Sequence, residues 1–420
     1  PGQSPAPDVP ARTGVAADPP PMSDMSDMSD MSDMSHTSDW RLRQLTHGSQ
    51  DGIYHSHSYY DIPVFDADSR YLVAHRLHFV ERPPTPGDTV QIGLIDTAGS
   101  GDWTTIGESR AWSWQQGPLA QWIDHPRRVV WNDRQGTGFV ARVYDPQSGA
   151  ITTLPAPVYA VDPAGGYALS LNMARLDAVR PGYGYCGGSD ARLHQRRPRQ
   201  DGVWRMDLQT GECRLVLSLH RAVNLLRRRL PWRQRYSHLR RRYHYWFNHA
   251  KISPDGARFT VKLRFRTLHG GWNDRMGVSL TCGTDGNDLR LLAGGTSHVI
   301  WLDNQRLYGW QQDGVHWFDD RSGERYGVLA PALTRQNVHI RHLPTRPELF
   351  VLDTPYRREI DLLLYDDHRK THRQLARFAH HRPERGQFRC DLHPCPSPDG
   401  RKIVVTSLHD GGRQVYLLSR

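Results

Sequence analysis

Cysteine is scarce in this chain of 420 residues: there are five, Cys186, Cys213, Cys282, Cys390 and Cys395. An odd number with no framework spacing excludes a disulfide-stapled scaffold. Long hydrophobic runs are missing too, and nothing approaches the roughly 20 apolar residues that a membrane-spanning helix needs. Amphipathic helical periodicity is nearly absent, apart from Leu215 to Leu230. No secretory leader is visible. The sequence opens at Pro1 rather than Met, so location stays open between secreted, periplasmic and cytoplasmic. Acidic residues are in deficit, 44 against 54 Lys and Arg, for a net charge of +10 carried by arginine far more than lysine. Such a surface selects an anionic partner: nucleic acid, anionic lipid or an acidic polysaccharide. Guanidinium forks grip carboxylates and sulfates at two points. No base-reading module accompanies the arginines, which argues against nucleic acid. A strong pair of carboxylates, as a glycoside hydrolase requires, is also lacking.

What is present is a succession of short strands. Residues 1–38 are set apart: Pro/Ala-rich sequence and tandem Met-Ser-Asp units from Met22 to Met34 cannot bury a core, and are expected to be a disordered tail. From Trp40 onward, runs such as Val90-Gln-Ile-Gly-Leu-Ile and Phe139-Val-Ala-Arg-Val-Tyr alternate with Gly, Asp, Asn and Pro turns, the pattern of an all-β fold. They group into units of about 40 to 50 residues, the period of propeller blades. Seven units are expected: 57–100, 103–150, 152–217, 243–293, 296–329, 336–378, and 388–420 completed by residues 40–54. The N-terminal segment would close a seven-bladed β-propeller over residues 39–420 and remove its open sheet edges. The basic run of about 218–242, with Arg227-Arg-Arg and Arg240-Arg-Arg, reads as an insertion containing a short helix, solvated by default.

Two histidines occupy a repeated pattern. His249 precedes Asp255 of Ser253-Pro254-Asp255-Gly256 by six residues, and His393 precedes Asp399 of Ser397-Pro398-Asp399-Gly400 by the same six. His298 stands just before Val299-Ile-Trp-Leu. In a propeller, equivalent positions of successive blades return to one depth of the central channel. Three imidazoles at that depth can converge on one ion. Cys390 and Asp391 add a thiolate or a carboxylate. Blades one to three show no matching His, so the cluster is expected off-axis with an open side. A second grouping lies in Ala168 to Gly188, where an inner strand is expected to run into a Gly-rich loop carrying Arg175, Arg180, Tyr183 and Tyr185. A third is Ala111-Trp-Ser-Trp-Gln-Gln-Gly, where Trp114 and Gln116 offer a face and an amide to a sugar, although Trp also serves as the wedge between blades.

Together NHAKISPDG, SHVIWLDN and RCDLHPCPSPDG resemble the seven-bladed propeller polysaccharide lyases, the oligogalacturonate and ulvan lyases with their TolB-like relatives. SLNMARLDAVRPGYGY and HSYYDIPVFDADSRYLVAHRL are similar to the ulvan-lyase branch, and the resemblance covers most of residues 50 to 420. It implies a lyase that cleaves a uronic-acid-containing saccharide by β-elimination, with one divalent metal. His249, His298 and His393 with Cys390 or Asp391 would hold zinc foremost, or manganese or calcium. Arg180 would neutralise the uronate carboxylate, Tyr185 or Tyr183 would act as acid or base, and His249 as the other partner. Arg175, Trp114, Gln116 and Tyr245 would contact substrate. The partner would be an acidic polysaccharide or oligosaccharide, with no membrane and no nucleic acid. One departure stands out. Where a catalytic histidine pair is expected in blade two, the chain has AWSWQQG and WNDR, with His125 the only His nearby. The competing expectation is a non-catalytic propeller that binds a protein or an anionic glycan.

Overall fold

The computed structural model describes residues 39–99, 101–124, 127–267, 269, 271, 276–354, 359–379, 381 and 386–420. The expected tail, 1–38, and His125 lie outside the described residues. The rest forms seven four-stranded antiparallel sheets arranged as propeller blades. Six are consecutive in sequence. The seventh takes Cys395–Pro396, Lys402–Ser407 and Gln414–Ser419 from the C-terminus and Arg41–Gln44 from the other end of the chain. Arg41 pairs with Ser419 and Gln44 with Tyr416, so the ring closes as the composition of its last unit requires. Arg43 reaches on to blade one, donating to the carbonyls of Gly99 at 2.6 Å and Thr97 at 2.7 Å. The first blade begins earlier than expected, at the inner strand Tyr54–Ser56, and only four residues of the 40–54 segment serve as the closing strand.

The Ser-Pro-Asp-Gly turns do two jobs. Within each turn the serine hydroxyl bonds the aspartate, at 2.6 Å for Ser253–Asp255 and 2.5 Å for Ser397–Asp399. Between blades, the Asp255 amide donates to Asn304 Oδ1 at 3.0 Å, and Asp399 N donates to Ser69 Oγ at 3.1 Å. The hairpins are thus pinned to the next blade, which fixes the depth of everything earlier on the same inner strand. Tryptophan fills the spaces between blades. Trp131 of blade two lies where a Cβ on Gly107 of blade one would meet its ring at 2.5 Å, so only glycine admits it.

Helix is more frequent than the periodicity suggests. The segment expected as a loop begins with a helix, α1, Met173–Val179, whose N-cap Asn172 accepts a hydrogen bond from the Arg175 amide. Arg175 is therefore helical and buried, not on a flexible loop. In the basic insertion the apolar run starts as a strand, Cys213–Ser218, and becomes helical only at α2, Leu219–Arg229, followed by α3, Trp232–Arg240. Helix α2 buries Leu219, Ala222, Val223 and Leu226 against the propeller, whereas α3 buries none of its residues.

Trp40 tests the closure. It is 5% exposed and packs with Leu343, Leu349, Val405 and Leu418 between blades six and seven. Trp40→Ala is expected to lower unfolding free energy by about 3–5 kcal/mol, measured by chemical denaturation. A loss under about 1 kcal/mol would mean that the closing strand does not carry stability.

Candidate functional site

Each inner strand approaches the channel and then forms a tight hairpin to the second strand. The closing amide of that hairpin is Asp66 in blade one, Asp162 in three, Ser253 in four, Leu302 in five and Ser397 in seven. Counting four residues back, and using the pairings Ile123–Arg128 and Leu343–Arg346 for blades two and six, gives one equivalent position per blade. It holds Ile62, Leu119, Val158, His249, His298, His339 and His393 in order. Blades one to three present aliphatic side chains there, and blades four to seven present imidazoles.

The backbone at these positions is unusual. His249, His298 and His393 have φ of 54°, 51° and 49°, as does Leu119 with φ 53°. The left-handed region is costly for a residue with a Cβ, though histidine is among the residues that tolerate it best. In blades four and five the pairing register slips here, between Asn248 and Lys251 and between Ser297 and Ile300. A bulge of this kind re-aims a side chain at a strand end. The neighbouring blade supports the strained turn: the His249 amide donates to Tyr159 Oη at 3.0 Å, and that hydroxyl bonds Asn248 Oδ1 at 2.7 Å.

The rings converge. His298 and His339 lie with centroids 4.3 Å apart, and His339 and His393 4.7 Å apart. Tyr59 joins them, 4.4 Å from His393 and 5.4 Å from His249, stacked on the latter. Tyr60 lies 5.4 Å from His298 and 5.1 Å from His339. Among the described residues, one group could hold a metal ion: His339, Asp391 and His393, all buried, with ligand atoms within 4.8 Å of one another. The residues fit such a group. Nε2 of His393 is buried with no hydrogen-bond partner, 3.7 Å from Asp391 Oδ2. His339 Nδ1 is held by the buried carboxylate of Asp353 at 2.9 Å, the outer contact that orients a ligating imidazole. Likewise the Nδ1 of His298 meets the Val338 carbonyl at 2.9 Å. Burial lowers the pKa of His249, His298 and His393 well below the ordinary imidazole value, assisted by Lys251 and Arg264 at His249, by His339 and Lys251 at His298, and by His339 and His57 at His393. All three are neutral at pH 7, the form that ligates a metal or accepts a proton.

Cys390, one of the expected ligands, turns its thiol toward the Thr406 carbonyl at 3.9 Å, and the carboxylate of Asp391 occupies the cluster. His249 and His298 stand beside the group as ring neighbours. His339 was not among the sequence candidates. Its signal was present but disguised: it precedes Pro344 by five residues, as His249 precedes Pro254 and His393 precedes Pro398, yet Leu343-Pro344-Thr345-Arg346 replaces the Ser-Pro-Asp-Gly turn.

A second set adjoins the first. The ring of Tyr183 is 5.5 Å from that of His249. Arg389 donates to its hydroxyl at 3.2 Å, and Arg180 lies 4.7 Å over its ring. Burial alone raises a phenol's pKa, but Arg389 and Arg180 outweigh it and bring Tyr183 down to about 8. Arg389 is held in turn by both oxygens of Asp391, at 2.8 and 3.0 Å. One carboxylate therefore serves the histidines and, through Arg389, the phenol. Tyr185 faces elsewhere: its hydroxyl accepts from Asn132 Nδ2 at 2.9 Å, its ring meets Phe139, and burial raises its pKa far above the ordinary value. Arg175 pairs with Asp190 at 3.0 Å and donates to the Tyr245 carbonyl at 3.1 Å, tying α1 to blade four. Trp114 donates to the Arg82 carbonyl at 2.9 Å and packs on Trp112 and Phe79. Gln116 accepts from Tyr159 at 3.1 Å. Tyr245 is buried, with its hydroxyl hydrogen-bonded to His238 Nδ1 at 2.9 Å.

No family model matches this sequence, and no curated protein sequence matches it. Solved structures do. An oligogalacturonate lyase in complex with manganese aligns over 91% of this chain and 94% of its own, with TM-score 0.59 and 15% identity. An oligogalacturonate lyase from Vibrio parahaemolyticus aligns over 90% and 93%, with TM-score 0.57 and 13% identity. TolB from Acinetobacter baumannii aligns over 72% and 63% at TM-score 0.38 and 13% identity. At these identities the likeness carries the seven-bladed fold, not the activity.

If the buried group is a metal site, His339→Ala and His393→Ala will each abolish stoichiometric uptake of manganese or zinc in elemental analysis, while Cys390→Ser will retain it. Equal uptake by parent and His339→Ala would remove the group from consideration.

Proposed function

We propose that the protein is a polysaccharide lyase that cleaves a uronic-acid-containing saccharide by β-elimination. The observation that carries this reading is Tyr183: an acidified phenol, flanked by two arginines and the imidazole of His249, beside a buried His/Asp/His group. The lyase reaction needs three things in one place. The uronate carboxylate must be neutralised, because the adjacent C5 proton is too weakly acidic while that charge stands. A base must take the proton, and an acid must protonate the departing O4.

Arg180 is suited to the first task. A divalent ion at His339, Asp391 and His393 would add Lewis-acid polarisation of the same carboxylate, and the manganese complex of a structurally similar oligogalacturonate lyase makes manganese as eligible as zinc. A donor set of two imidazoles and a carboxylate does not select between them. His249, neutral and half-buried, is placed to accept the C5 proton. Tyr183 gives its proton to O4. The C5–H and C4–O bonds break, a C4–C5 double bond forms, and the products are an unsaturated uronate and a free hydroxyl. The low basicity of His249 makes neutralisation of the carboxylate a precondition for the proton transfer. The phenol's depressed pKa matches general-acid work, which is most efficient when the pKa lies near the operating pH.

The test is ultraviolet absorbance from the unsaturated product on incubation with uronate oligomers. Tyr183→Phe is expected to lower kcat by about 100-fold or more, whereas Tyr185→Phe should cost about 1 kcal/mol of stability with little change in kcat. The reverse pattern would move the acid to Tyr185. A parent that cleaves no uronate oligomer is a binding propeller instead.

The pH dependence has a definite sign. A general acid works only while protonated, so kcat/KM should fall as pH rises through about 8, where Tyr183 ionises. That limb should vanish in Tyr183→Phe. A flat profile from pH 7 to 10 would exclude Tyr183 as the acid.

A further inference from the structure

The basic insertion is more than a solvated charge run. Between Cys213 and Pro254 the chain has no acidic residue, and nine arginines fall between Leu219 and Arg242. Helix α2 docks on the propeller, and α3 folds back over it, Arg235 donating to the Arg227 carbonyl at 2.9 Å. Between the two helices and the loop after α1 lies a cavity of about 240 Å³, lined by Gln195, Arg196, Arg197, Arg227, His238 and Tyr245 among others. Its wall is built. The Tyr245 amide donates to the Arg196 carbonyl at 3.1 Å, and Arg175, buried beneath, donates to the carbonyls of Tyr245 and Gln195. Its floor is aromatic: His238 stacks on Tyr245, hydrogen-bonded to its hydroxyl at 2.9 Å, and lies edge-on to Tyr243.

Among the described residues, none of Arg196, Arg197 and Arg227 pairs with a carboxylate, and Arg197 is held only by Asn224 Oδ1 at 3.0 Å. Burial foremost, and the neighbouring Arg227 after it, lower the pKa of Arg197. The cavity is not remote. Tyr245 and His249 share the strand His244–Ile252, four residues apart, or about 13 Å at an extended rise. An oligosaccharide of a few rings spans that distance.

We propose that this cavity is an accessory subsite that takes an acidic group, carboxylate or sulfate ester, on a second sugar of the same anionic saccharide chain whose cleavage is proposed at Tyr183. Planar guanidinium forks suit both acids, and the Tyr245–His238 stack offers a flat face to a sugar ring. The occupant rests on the lyase reading; the existence of a built anion site does not. A substrate held at both places must be an oligomer, so the subsite selects chain length.

The test is calorimetric titration of the full chain in the Tyr183→Phe background, which slows turnover. The probes are hexagalacturonate, which offers only carboxylates, and a sulfated uronate oligomer. Arg196→Ala/Arg227→Ala is expected to raise the Kd of at least one probe tenfold or more; the probe affected identifies the acid. Arg369→Ala/Arg373→Ala removes the same charge from blade six and should leave both Kd values unchanged. Equal weakening by the two double variants would mean diffuse attraction and overturn the subsite. Tighter, pocket-dependent binding of inorganic phosphate or single-stranded RNA would overturn a saccharide as occupant. If Arg227→Ala disturbs folding, Arg227→Gln gives the same reading. The two proposals fail separately: pocket-dependent binding by a parent that yields no unsaturated product sinks the lyase alone, and cleavage by a parent whose pocket variant binds normally sinks the subsite alone.

Discussion

Everything at the channel mouth depends on a backbone turn that three histidines make at positive φ. For a residue with a Cβ the left-handed region costs roughly 1–2 kcal/mol, and the turn is made at His249, His298, His393 and also Leu119. Such strain persists only where surrounding structure over-determines it. Here the inner strand cannot slide, because its hairpin is pinned to the next blade below and its bulge is bonded above, as Tyr159 does for Asn248 and His249. Closure of the ring by Arg41–Gln44 makes these restraints mutual. The ring holds four imidazoles and two phenols together, mostly edge-on or tilted to one another, an arrangement that no single blade could maintain.

The repeat made much of this legible in advance. Ser253-Pro254-Asp255-Gly256 and its copy at 397–400 set a register, and a register in a closed ring is a statement about depth. His298, which lacks the turn, was still recognisable from the apolar run behind it. His339 was hidden because Leu343 and Arg346 replace the serine and glycine that mark the other hairpins, although Pro344 keeps the spacing. Helix α1 was hidden for another reason. Seven residues are too few to display a period, and the cap at Asn172 looks in sequence like any polar residue after a strand. Tyr183 and Tyr185, two residues apart between glycines, could not be told apart by sequence. Only the fold turns one toward Arg389 and the other toward Asn132. Arg389 itself carried no signal, since its role comes from Asp391 two residues on and from a phenol on another blade.

The ring is also divided chemically. At the equivalent position, blades one to three supply Ile62, Leu119 and Val158, each buried, and blades four to seven supply the histidines. Tyr59 and Tyr60, from blade one, lie across the channel onto the histidine side. The aliphatic half lowers the local dielectric against which the polar half acts. Burial is accordingly the leading influence on His249, His298 and His393, with Lys251, Arg180 and Arg389 as smaller contributions in the same direction.

Charge balance completes the argument. The carboxylates at the mouth are already engaged: Asp391 with Arg389, Asp353 with His339, and Asp61 with Lys251 at 3.1 Å. Arg180 and Arg264 contribute further positive charge at His249 and Tyr183. The consequences are visible in both titrating partners, since the same field that keeps His249 neutral pulls a proton off Tyr183 more easily. An anionic ligand would relieve the repulsion, and a bound cation would sharpen it. An anion bound beside these groups is the ligand that this distribution of charge would favour.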